Sequence, residues 1–536
     1  MFLTKPLTLI ISQDKIFWII FIVFLCAYLY NFGSHRLYPF LDTPNHQALA
    51  SIFSSYGDPD NQLEEYYTLN IFPKPNIFHM VFCGSKLFPD IQIANKVFYF
   101  IYVSFFMLGI LFLVIRCGGN IWYALLAFIL VYNINVGYGL TGFTISIPVI
   151  LFLILFTVNY IEKKRFLTGC VIAVMMVFLF FTHALATLFA FMVYLSFVLY
   201  LYFQEKNKTN ILTRILPCLP AAVLFFFWWI TDSQNYEGPG FFSSIWQYYQ
   251  TTFIKMFWQR GGIIVHDNFR LFGGIYGYLV AAFFSVFIIL FTIKPLFKKV
   301  YTIRALVKSP AVICVLILLF CSLICSIFMP VELPGYSLLC QRFTVFLFIA
   351  IILFGSVIAP KRISRFSKIL MCLVVTIHCA LWIQNFNAFN EENKGFDKSF
   401  FSSCDRNDIV AALIYDYRFR NVSVYDNFLD YYTAWTNGVC TTRFIDDRSF
   451  AVGRKVSKEE LPPYIKWIGK DKEEYIEWIG RDKSNVYDGR YRNVDHIIVR
   501  GDLPASTLQG LNDFTVVEQR GSWFLYSKIK KRGLSP

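Results

Sequence analysis

Long runs of uncharged apolar residues constrain this chain more than any other feature of its sequence. Several of them extend for about 18 residues or more, which is the length that an α-helix needs to cross the hydrocarbon core of a bilayer. Apolar residues make up 56% of the 536 residues and charged residues 16%, against about 45–50% and about 25% in soluble domains. The composition excludes a soluble globular enzyme, a disordered chain and a secreted disulfide scaffold. It predicts a polytopic membrane protein.

The apolar runs predict eleven membrane-spanning helices. The third and fifth runs give the weakest signals, because each shares a very short hairpin with its neighbour. Lys5 and Lys15 precede the first run and no small-residue cleavage site follows it, which is typical of an uncleaved signal anchor. The approximate bounds are 16–33, 94–115, 121–136, 143–160, 166–182, 184–203, 215–231, 271–293, 309–329, 343–359 and 369–385.

The distribution of charge predicts the topology independently. With the N-terminus in the cytoplasm, the segments on that side hold 18 Lys and Arg residues and three acidic residues. The whole formal net charge of +14 then lies on one face of the membrane, as the positive-inside rule requires. This bias accounts for the basic composition without nucleic acid, and we expect no nucleic-acid partner.

This topology places residues 34–93, 232–270 and 386–536 outside. We therefore expect a transmembrane domain over residues 1–385, with outer loops 34–93 and 232–270, and an extracytoplasmic soluble α/β domain over residues 386–536. The polar composition and length of the latter suit one domain. Its patterns predict a helix over Asp408–Phe419 and strands at Val422–Tyr425, His496–Arg500, Phe514–Glu518 and Ser522–Lys528.

Three features of the outer segments leave alternatives open. Cys404 and Cys440 share one domain in an oxidising compartment, so both a disulfide and two free thiols are compatible with the sequence. Residues 241–258 are aromatic with scattered polar residues and predict either an interfacial amphipathic helix or a structural re-entrant loop. An eleven-residue tandem duplication over Tyr464–Asn485 predicts a surface insertion, because a solenoid needs at least three repeats.

The polar residues concentrate at the outer surface, whereas the spans contain no acidic residue that would indicate ion coupling. His378 is the only titratable side chain near the middle of a span, and packing explains it as well as a proton relay does. The other six histidines all fall on the outer side, at His35, His46, His79, His183, His266 and His496.

Asp42 stands directly after the first span, between Pro39 and Pro44. A carboxylate held there could accept a proton from an attacking hydroxyl. Alternatively, Asp42 or Thr43 could begin a helix with Pro44 in its first turn, and the two roles are compatible. His46 follows one helical turn later, so the two side chains could share a face, orient each other or hold a divalent ion.

Several short motifs resemble those of the GT-C glycosyltransferases, polytopic enzymes that take sugars from polyprenyl-phosphate carriers. Phe40–His46 after a signal anchor resembles their first-loop acid motif, and Tyr132–Phe143 is similar to a Gly-Phe hairpin of bacterial members. Thr182–His183 resembles their Ser/Thr-His turn, and Gln341–Phe343 resembles the Arg-Phe pair with which one of their spans begins. The likeness covers most of the chain and depends on the order of the motifs, which agrees with the predicted topology.

The resemblance implies an integral membrane glycosyltransferase that moves a sugar from a polyprenyl-phosphate carrier to a glycan, lipid or protein acceptor at the outer face, with inversion. It implies Asp42 as the catalytic base. Arg342 could pair bidentately with the donor phosphate or serve as a snorkelling anchor. His183 could bind phosphate or acceptor, or cap its hairpin.

The resemblance leaves the second carboxylate and the metal open. Many members have a second acid, for which Asp58, Asp60, Glu64 and Glu65 are candidates, although Asp58-Pro-Asp60 also fits a polar turn. Some members need a divalent metal and some do not, so a divalent metal cofactor is compatible with the sequence. Glu332 and the pair His266-Asp267 rank lower as site candidates.

Three other functions compete with a glycosyltransferase. An O-antigen polymerase or ligase acts at the same surface, but its large loop usually lies between late spans. A lipid or glycan transporter needs a polar path through the spans, and little polarity is present. A receptor or scaffold would use the C-terminal domain for binding. The expected location is a bacterial inner membrane with a cytoplasmic N-terminus, although the same topology would hold in an archaeon or in the endoplasmic reticulum.

Overall fold

The computed structural model describes residues 14–163, 165–205, 209–233, 241–269, 273–293, 309–333, 337–441, 450–457, 460–461, 493–502 and 511–529. The tandem duplication over Tyr464–Asn485 lies outside the described residues. Two compact units make up the chain. The first, here called the membrane unit, comprises Met1–Ser34 and Tyr99–Asn385, and the second, the α/β unit, comprises His35–Phe98 and Phe386–Pro536.

The helices and strands of the described residues are numbered here in chain order. The α-helices are α1 Lys15–Ser34, α2 Thr43–Ser55, α3 Leu63–Tyr66, α4 Phe78–Gly84, α5 Ile91–Arg116, α6 Ile134–Gly137, α7 Thr141–Lys163, α8 Phe166–Thr182, α9 Ala184–Glu205, α10 Thr209–Ile215, α11 Leu219–Ser233, α12 Phe241–Thr251, α13 Phe253–Phe257, α14 Arg260–Asp267, α15 Gly274–Ile293, α16 Pro310–Phe328, α17 Thr344–Ile358, α18 Arg365–Glu392 and α19 Asp430–Thr436. Short 3₁₀ segments lie at Ile121–Leu130, Leu216–Cys218, Gln341–Phe343 and Lys398–Phe401. The strands are β1 Tyr67–Leu69, β2 Ile409–Ile414, β3 Arg418–Phe419, β4 Val422–Ser423, β5 Val439–Cys440, β6 Val452–Arg454, β7 His496–Arg500, β8 Phe514–Arg520 and β9 Trp523–Lys528.

Membrane-spanning helices account for most of the membrane unit. Within the described residues, nine helices are long and apolar enough to cross a bilayer, and shorter apolar helices lie at Ile121–Gly137 and Phe166–Thr182. These two shorter helices are the third and fifth predicted spans. The eleven apolar runs therefore all form helices, and the protein is a multi-pass α-helical membrane protein with a C-terminal sheet domain.

Aromatic side chains of α1 face inward and aliphatic ones face outward. The buried set is Phe17, Phe21, Phe24 and Tyr28, and the exposed set includes Ile16, Ile19, Ile22 and Val23. Phe128 packs against three of the buried rings, with centroids 5.2–5.7 Å apart. Because lipid tails are as apolar as the outward residues, aromatic packing rather than the hydrophobic effect drives helix association here.

Residues that the charge pattern assigns to the cytoplasmic side lie together at one end of the membrane unit. Asp14 accepts hydrogen bonds from Trp122 Nε1 at 2.6 Å and from Lys368 Nζ at 3.1 Å. Nearby in sequence, the amide of Asn120 donates to the carbonyl oxygen of Pro360 at 2.8 Å. The helix order is therefore consistent with the predicted topology. The direction in which the chain crosses the bilayer stays a prediction.

A five-stranded sheet in the order β5-β2-β7-β9-β8 forms the centre of the α/β unit. β5, β2 and β7 are parallel, and β9 and β8 continue antiparallel. An aromatic core packs on this sheet, and its largest fully buried side chain is Trp523. The strand predictions at His496–Arg500, Phe514–Glu518 and Ser522–Lys528 are confirmed to within two residues, and Gly521, in the turn between β8 and β9, has a positive φ of +59°.

The helix predicted over Asp408–Phe419 is wrong, because residues Ile409–Ile414 form strand β2. All six residues of β2 are buried, since the strand lies between β5 and β7 with both faces covered. A strand buried on both faces reads as a continuous apolar run instead of an alternating one. Its apolar positions therefore also satisfied a helical period. The strand predicted at Val422–Tyr425 is present but shorter, at Val422–Ser423.

The α/β unit is discontinuous in sequence. β1, from the first outer loop, pairs antiparallel with β6, with Tyr67 opposite Arg454. Helix α2 packs against α19, and Ser51 of α2 donates to the carbonyl oxygen of Thr433 at 2.9 Å. The loop 34–93, which we grouped with the transmembrane domain, thus packs with the C-terminal segment. Cys404 and Cys440 are both free thiols in this unit.

Candidate functional site

Three motifs that are far apart in the sequence meet in the membrane unit. The Nη1 atom of Arg342 lies 2.6 Å from Nε2 of His183, 159 residues away. The His183 ring packs edge to face on Phe143, with centroids 5.2 Å apart, and Phe143 packs in the same way on Phe343 at 5.5 Å. The Gly-Phe hairpin, the Thr-His turn and the Arg-Phe pair therefore form one cluster, here called the Arg342 cluster.

Backbone contacts hold Arg342 in a defined position. It lies in the 3₁₀ segment Gln341–Phe343 that leads into α17, and its carbonyl oxygen accepts a hydrogen bond from the amide of Asn135 at 3.2 Å. Its Nη2 donates to the carbonyl oxygen of Ser337 at 3.2 Å. The half-buried guanidinium is thus directed toward His183 by protein contacts, whereas a snorkelling anchor would extend toward water.

His183 separates α8 from α9 and caps the second of these helices. Its backbone is extended, with φ −169° and ψ 126°, so α8 ends there. The backbone N–H of Leu185 donates to His183 Nδ1 at 3.1 Å, which satisfies one of the unpaired N–H groups at the start of α9.

The guanidinium of Arg342 therefore lies at the N-terminal end of α9, beside His183. A guanidinium carries donors only, so the contact with Nε2 of His183 uses one of the Arg342 N–H groups. The macrodipole of this 22-residue helix favours negative charge at the same end. The charge of the guanidinium and the helix dipole act in the same direction, so the arrangement suits an anion such as a phosphate oxygen. His183 contacts the start of α9 through Nδ1 and Arg342 through Nε2.

In the α/β unit, Asp42 immediately precedes α2, as the proline pattern predicts. Asp42 is the N-cap residue of α2 and Pro44 lies in the first turn, as expected, although the carboxylate makes no capping hydrogen bond. Oδ1 accepts a hydrogen bond from Nδ2 of Asn427 at 2.8 Å, and the same amide donates to the carbonyl oxygen of Leu41 at 3.1 Å. The half-buried carboxylate is oriented by a residue 385 positions away.

Two buried acids lie beside Asn427 that the sequence did not indicate as site candidates. Asp426 is 3% exposed and Asp430 is 2% exposed. Asp430 begins α19, which packs on α2, and its Oδ1 lies 3.5 Å from the Cys440 thiol. The pattern Asp426-Asn427-Phe-Leu-Asp430 places two acids in an otherwise apolar stretch, which is the only sequence signal that could have revealed them.

His46 lies one helical turn beyond Asp42, as predicted, and its backbone N–H donates to the Asp42 carbonyl oxygen at 3.1 Å. Its ring packs against the rings of His79 and Phe450, with centroids 5.5 and 6.1 Å apart. Among the residues that the structure describes, no group of three or more His, Cys, Asp or Glu side chains is arranged to hold a metal ion. Use of a divalent metal stays a prediction.

His79 is a buried partner of His46. It is 1% exposed, and its Nε2 pairs with Oδ1 of Asn95 at 3.0 Å. Burial disfavours the charged imidazolium and lowers the pKa of His79 to about 4, although the hydrogen bond that His79 donates to Asn95 opposes this shift. His79 is therefore a neutral side chain that packs against the His46 ring of α2.

The four candidate second carboxylates are exposed. Oδ1 of Asp58 accepts the backbone N–H of Asp60 at 3.0 Å, so the Asp-Pro-Asp triplet forms a polar turn. The Asp60 carboxylate pairs loosely with Arg406 at 3.8 Å. Glu64 and Glu65 lie in the first turn of α3, where negative charge is favourable. These contacts explain the four residues as structural elements of the loop.

Comparison with known proteins gives a distant structural likeness. No family model matches the sequence, and no curated protein matches it. Among solved structures, the chain is similar to the archaeal oligosaccharyltransferase AglB from Archaeoglobus fulgidus, solved in complex with an inhibitory peptide and a dolichol-phosphate. The identity is 9%, the TM-score is 0.41, and the match covers 91% of this chain and 70% of that chain. At this TM-score, we draw no conclusion from the likeness.

Proposed function

We propose that this protein is an integral membrane glycosyltransferase that moves a sugar from a polyprenyl-phosphate carrier to an acceptor at the outer face of the membrane, with inversion. The observation that supports the proposal most strongly is the position of the Arg342 guanidinium beside His183 at the N-terminus of α9. This cluster lies at the ends of membrane helices, where the phosphate of a lipid-linked sugar would lie with its tail in the bilayer. We expect the location to be a bacterial inner membrane with a cytoplasmic N-terminus.

The chemistry requires stabilisation of a leaving phosphate. In the donor, the phosphate is a diester with one negative charge. As the bond from the anomeric carbon to the phosphate oxygen breaks, its electron pair stays on that oxygen, and the product monoester carries a charge approaching −2 above its second pKa of about 6. Donors fixed in advance around the phosphate bind this developing charge more strongly than the ground state. Arg342 has this role in the proposal, and His183 holds the guanidinium in place.

Asp42 is the proposed base. In an inverting single displacement, the acceptor hydroxyl attacks the anomeric carbon opposite the phosphate and transfers its proton to a carboxylate. The amide of Asn427 would orient the Asp42 carboxylate for this step. The acceptor in this proposal is a glycan, a lipid or a protein. We propose the C-terminal segment for its recognition, because that segment packs with the loop that carries Asp42.

The test is sugar transfer in membranes that hold equal amounts of wild type and Asp42→Asn, supplied with a panel of radiolabelled polyprenyl-phosphate sugars. We expect the variant to lose activity by about 10²–10⁴-fold, the range for removal of a general base. Glu391→Gln, an exposed acid paired only with Lys394 in an i,i+3 contact, is the matched control and should transfer normally.

The outcomes separate the enzyme class from the identity of its base. Transfer that survives in Asp42→Asn would keep the enzyme and move the base to the Asp58–Glu65 group. Absence of transfer by the wild type from every donor would contradict the proposal and favour a polymerase, ligase or transport function.

A further inference from the structure

The membrane unit contains a buried arginine, Arg260, that the proposed chemistry has not used. Arg260 is the first residue of α14 and is 3% exposed. Its Nη1 donates to Sγ of Cys340 and its Nη2 to the hydroxyl of Tyr248, both at 2.5 Å. Its Nε is buried and has no hydrogen-bond partner among the described residues. The guanidinium is thus enclosed, with one donor unsatisfied.

The surroundings of Arg260 do not balance its charge. A phenol and a thiol are its polar contacts among the described residues, and the one acid of its helix, Asp267, pairs with His266 at 3.1 Å. The position of Arg260 at the start of a helix is also unfavourable for its positive charge, because the helix dipole there disfavours a cation. By contrast, the buried Arg500 of the α/β unit pairs with Glu392 at 2.5 Å. A buried cation is unfavourable unless an anion lies next to it, so these surroundings favour an anionic ligand.

Contacts on two sides place Arg260 beside the Arg342 cluster. Its thiol partner, Cys340, is two residues before Arg342, and α14 packs against the segment Gln341–Phe343. On the other side, Tyr248 forms an apolar cluster with Leu333 and Leu339, against which Leu185 packs. Leu185 is the residue whose backbone N–H is capped by His183. Arg260 and Arg342 therefore flank the same end of α9.

We infer that Arg260 is a second cation of the phosphate site and contacts the phosphate of the lipid-linked donor together with Arg342. This inference rests on the proposed function. Two guanidinium groups match a leaving group with a charge near −2 better than a donor phosphate with a charge of −1. Arg260 should therefore act more on kcat than on KM, because its interaction strengthens as the glycosidic bond breaks. The same pair of cations would suit a diphosphate-linked donor, in which the ground state already carries two charges.

The experiment compares wild type, Arg260→Met and Arg260→Lys in steady-state transfer, with polyprenyl monophosphate and polyprenyl diphosphate sugars as separate donors. Lys255→Met, which removes an exposed cation from the neighbouring helix α13, is the matched control. With the monophosphate donor, we expect Arg260→Met to lower kcat by about 100-fold, as for loss of one fixed donor, with a smaller change in KM. Arg260→Lys should recover part of kcat, and Lys255→Met should match the wild type.

A second measurement separates failure of this inference from failure of the proposed function. Polyprenyl phosphate itself, the product, is titrated against each purified variant, after size-exclusion chromatography has shown that the variants stay monodisperse. We expect at least tenfold weaker binding by Arg260→Met and by Arg342→Met, and unchanged binding by Lys255→Met.

Each result then has one meaning. If the wild type transfers sugar but Arg260→Met keeps wild-type kcat, KM and product affinity, the inference is wrong and the proposed function stands. If the wild type transfers nothing while both arginine variants lose affinity for polyprenyl phosphate, the two-cation lipid-phosphate site stands and the enzyme assignment fails. If only the diphosphate donor is used and Arg260→Met raises its KM, the second cation is confirmed with that donor class. Loss of kcat in Arg260→Met with no recovery in Arg260→Lys and unchanged product affinity would overturn the inference in favour of a structural role.

Discussion

Acidification should destabilise the α/β unit through one buried histidine, His79. Its ring is 1% exposed, packs edge to face on Phe98 with centroids 4.7 Å apart, and pairs with Asn95. Burial lowers the pKa of His79 to about 4 from an ordinary value near 6.5. Because the folded-state pKa is depressed, the unfolded chain binds a proton first as pH falls. The stability from this group is complete above about pH 6.5 and is lost as pH falls toward about 4.

The size of the effect follows from the shift. A difference of about 2.5 units corresponds to about 3 kcal/mol at full titration, since one unit is about 1.4 kcal/mol. At pH 5, where the unfolded form is protonated and the folded form mostly is not, the loss is about 2 kcal/mol relative to pH 8. That is a large part of the typical stability of a domain.

Native-state hydrogen exchange of the full chain in detergent provides the assay. Opening free energies are measured by mass spectrometry for peptides from β2 and β7, at pH 8 and pH 5, after correction for intrinsic exchange. The non-titrating variant His79→Gln should be less stable than the wild type at pH 8, and its loss on acidification should be smaller by about 2 kcal/mol. The contributions of the other titrating groups to the pH dependence cancel when the variant is compared with the wild type. Equal pH dependence in the two proteins would refute the argument.

Three further predictions concern the same unit. Asn427→Ala should lower transfer by about tenfold, because Asp42 loses the hydrogen bond that orients its carboxylate; unchanged transfer would exclude this role. Burial raises the pKa of Asp397, but hydrogen bonds from Ser399 and Arg36 outweigh it, so the pKa is lowered. Asp397→Asn should therefore cost up to about 1 kcal/mol of stability at pH 7 for this partly exposed pair, and the cost should shrink in pH-dependent unfolding as acid protonates the wild-type carboxylate; a cost independent of pH would contradict it. The fully buried indole of Trp523 donates a hydrogen bond to Asn393 Oδ1 at 3.0 Å. Trp523→Ala should therefore destabilise the sheet by about 3–5 kcal/mol, measured as faster hydrogen exchange in β7 and β9. Unaltered exchange would show that the core tolerates the cavity.

The sequence by itself determined the architecture of the membrane unit. A membrane helix must be apolar along about 20 residues because every backbone polar group has to be satisfied within the segment. The eleven runs could therefore be read one at a time, without knowledge of their neighbours. Strands β7, β8 and β9 were also readable, because local apolar patterns and the turn at Gly521 mark them.

The tertiary structure decided which residues form the candidate sites. β2 was predicted as a helix because a strand covered on both faces has no alternation, and only its place between β5 and β7 removes the ambiguity. The partner of Asp42 was not predictable either, since Asn427 lies 385 residues away and no local spacing connects them. The motifs at Phe143, His183 and Arg342 could be named from the sequence, but their contact depends on how the helices pack. Periodicity reports local backbone structure, whereas a site depends on contacts that folding makes between distant segments.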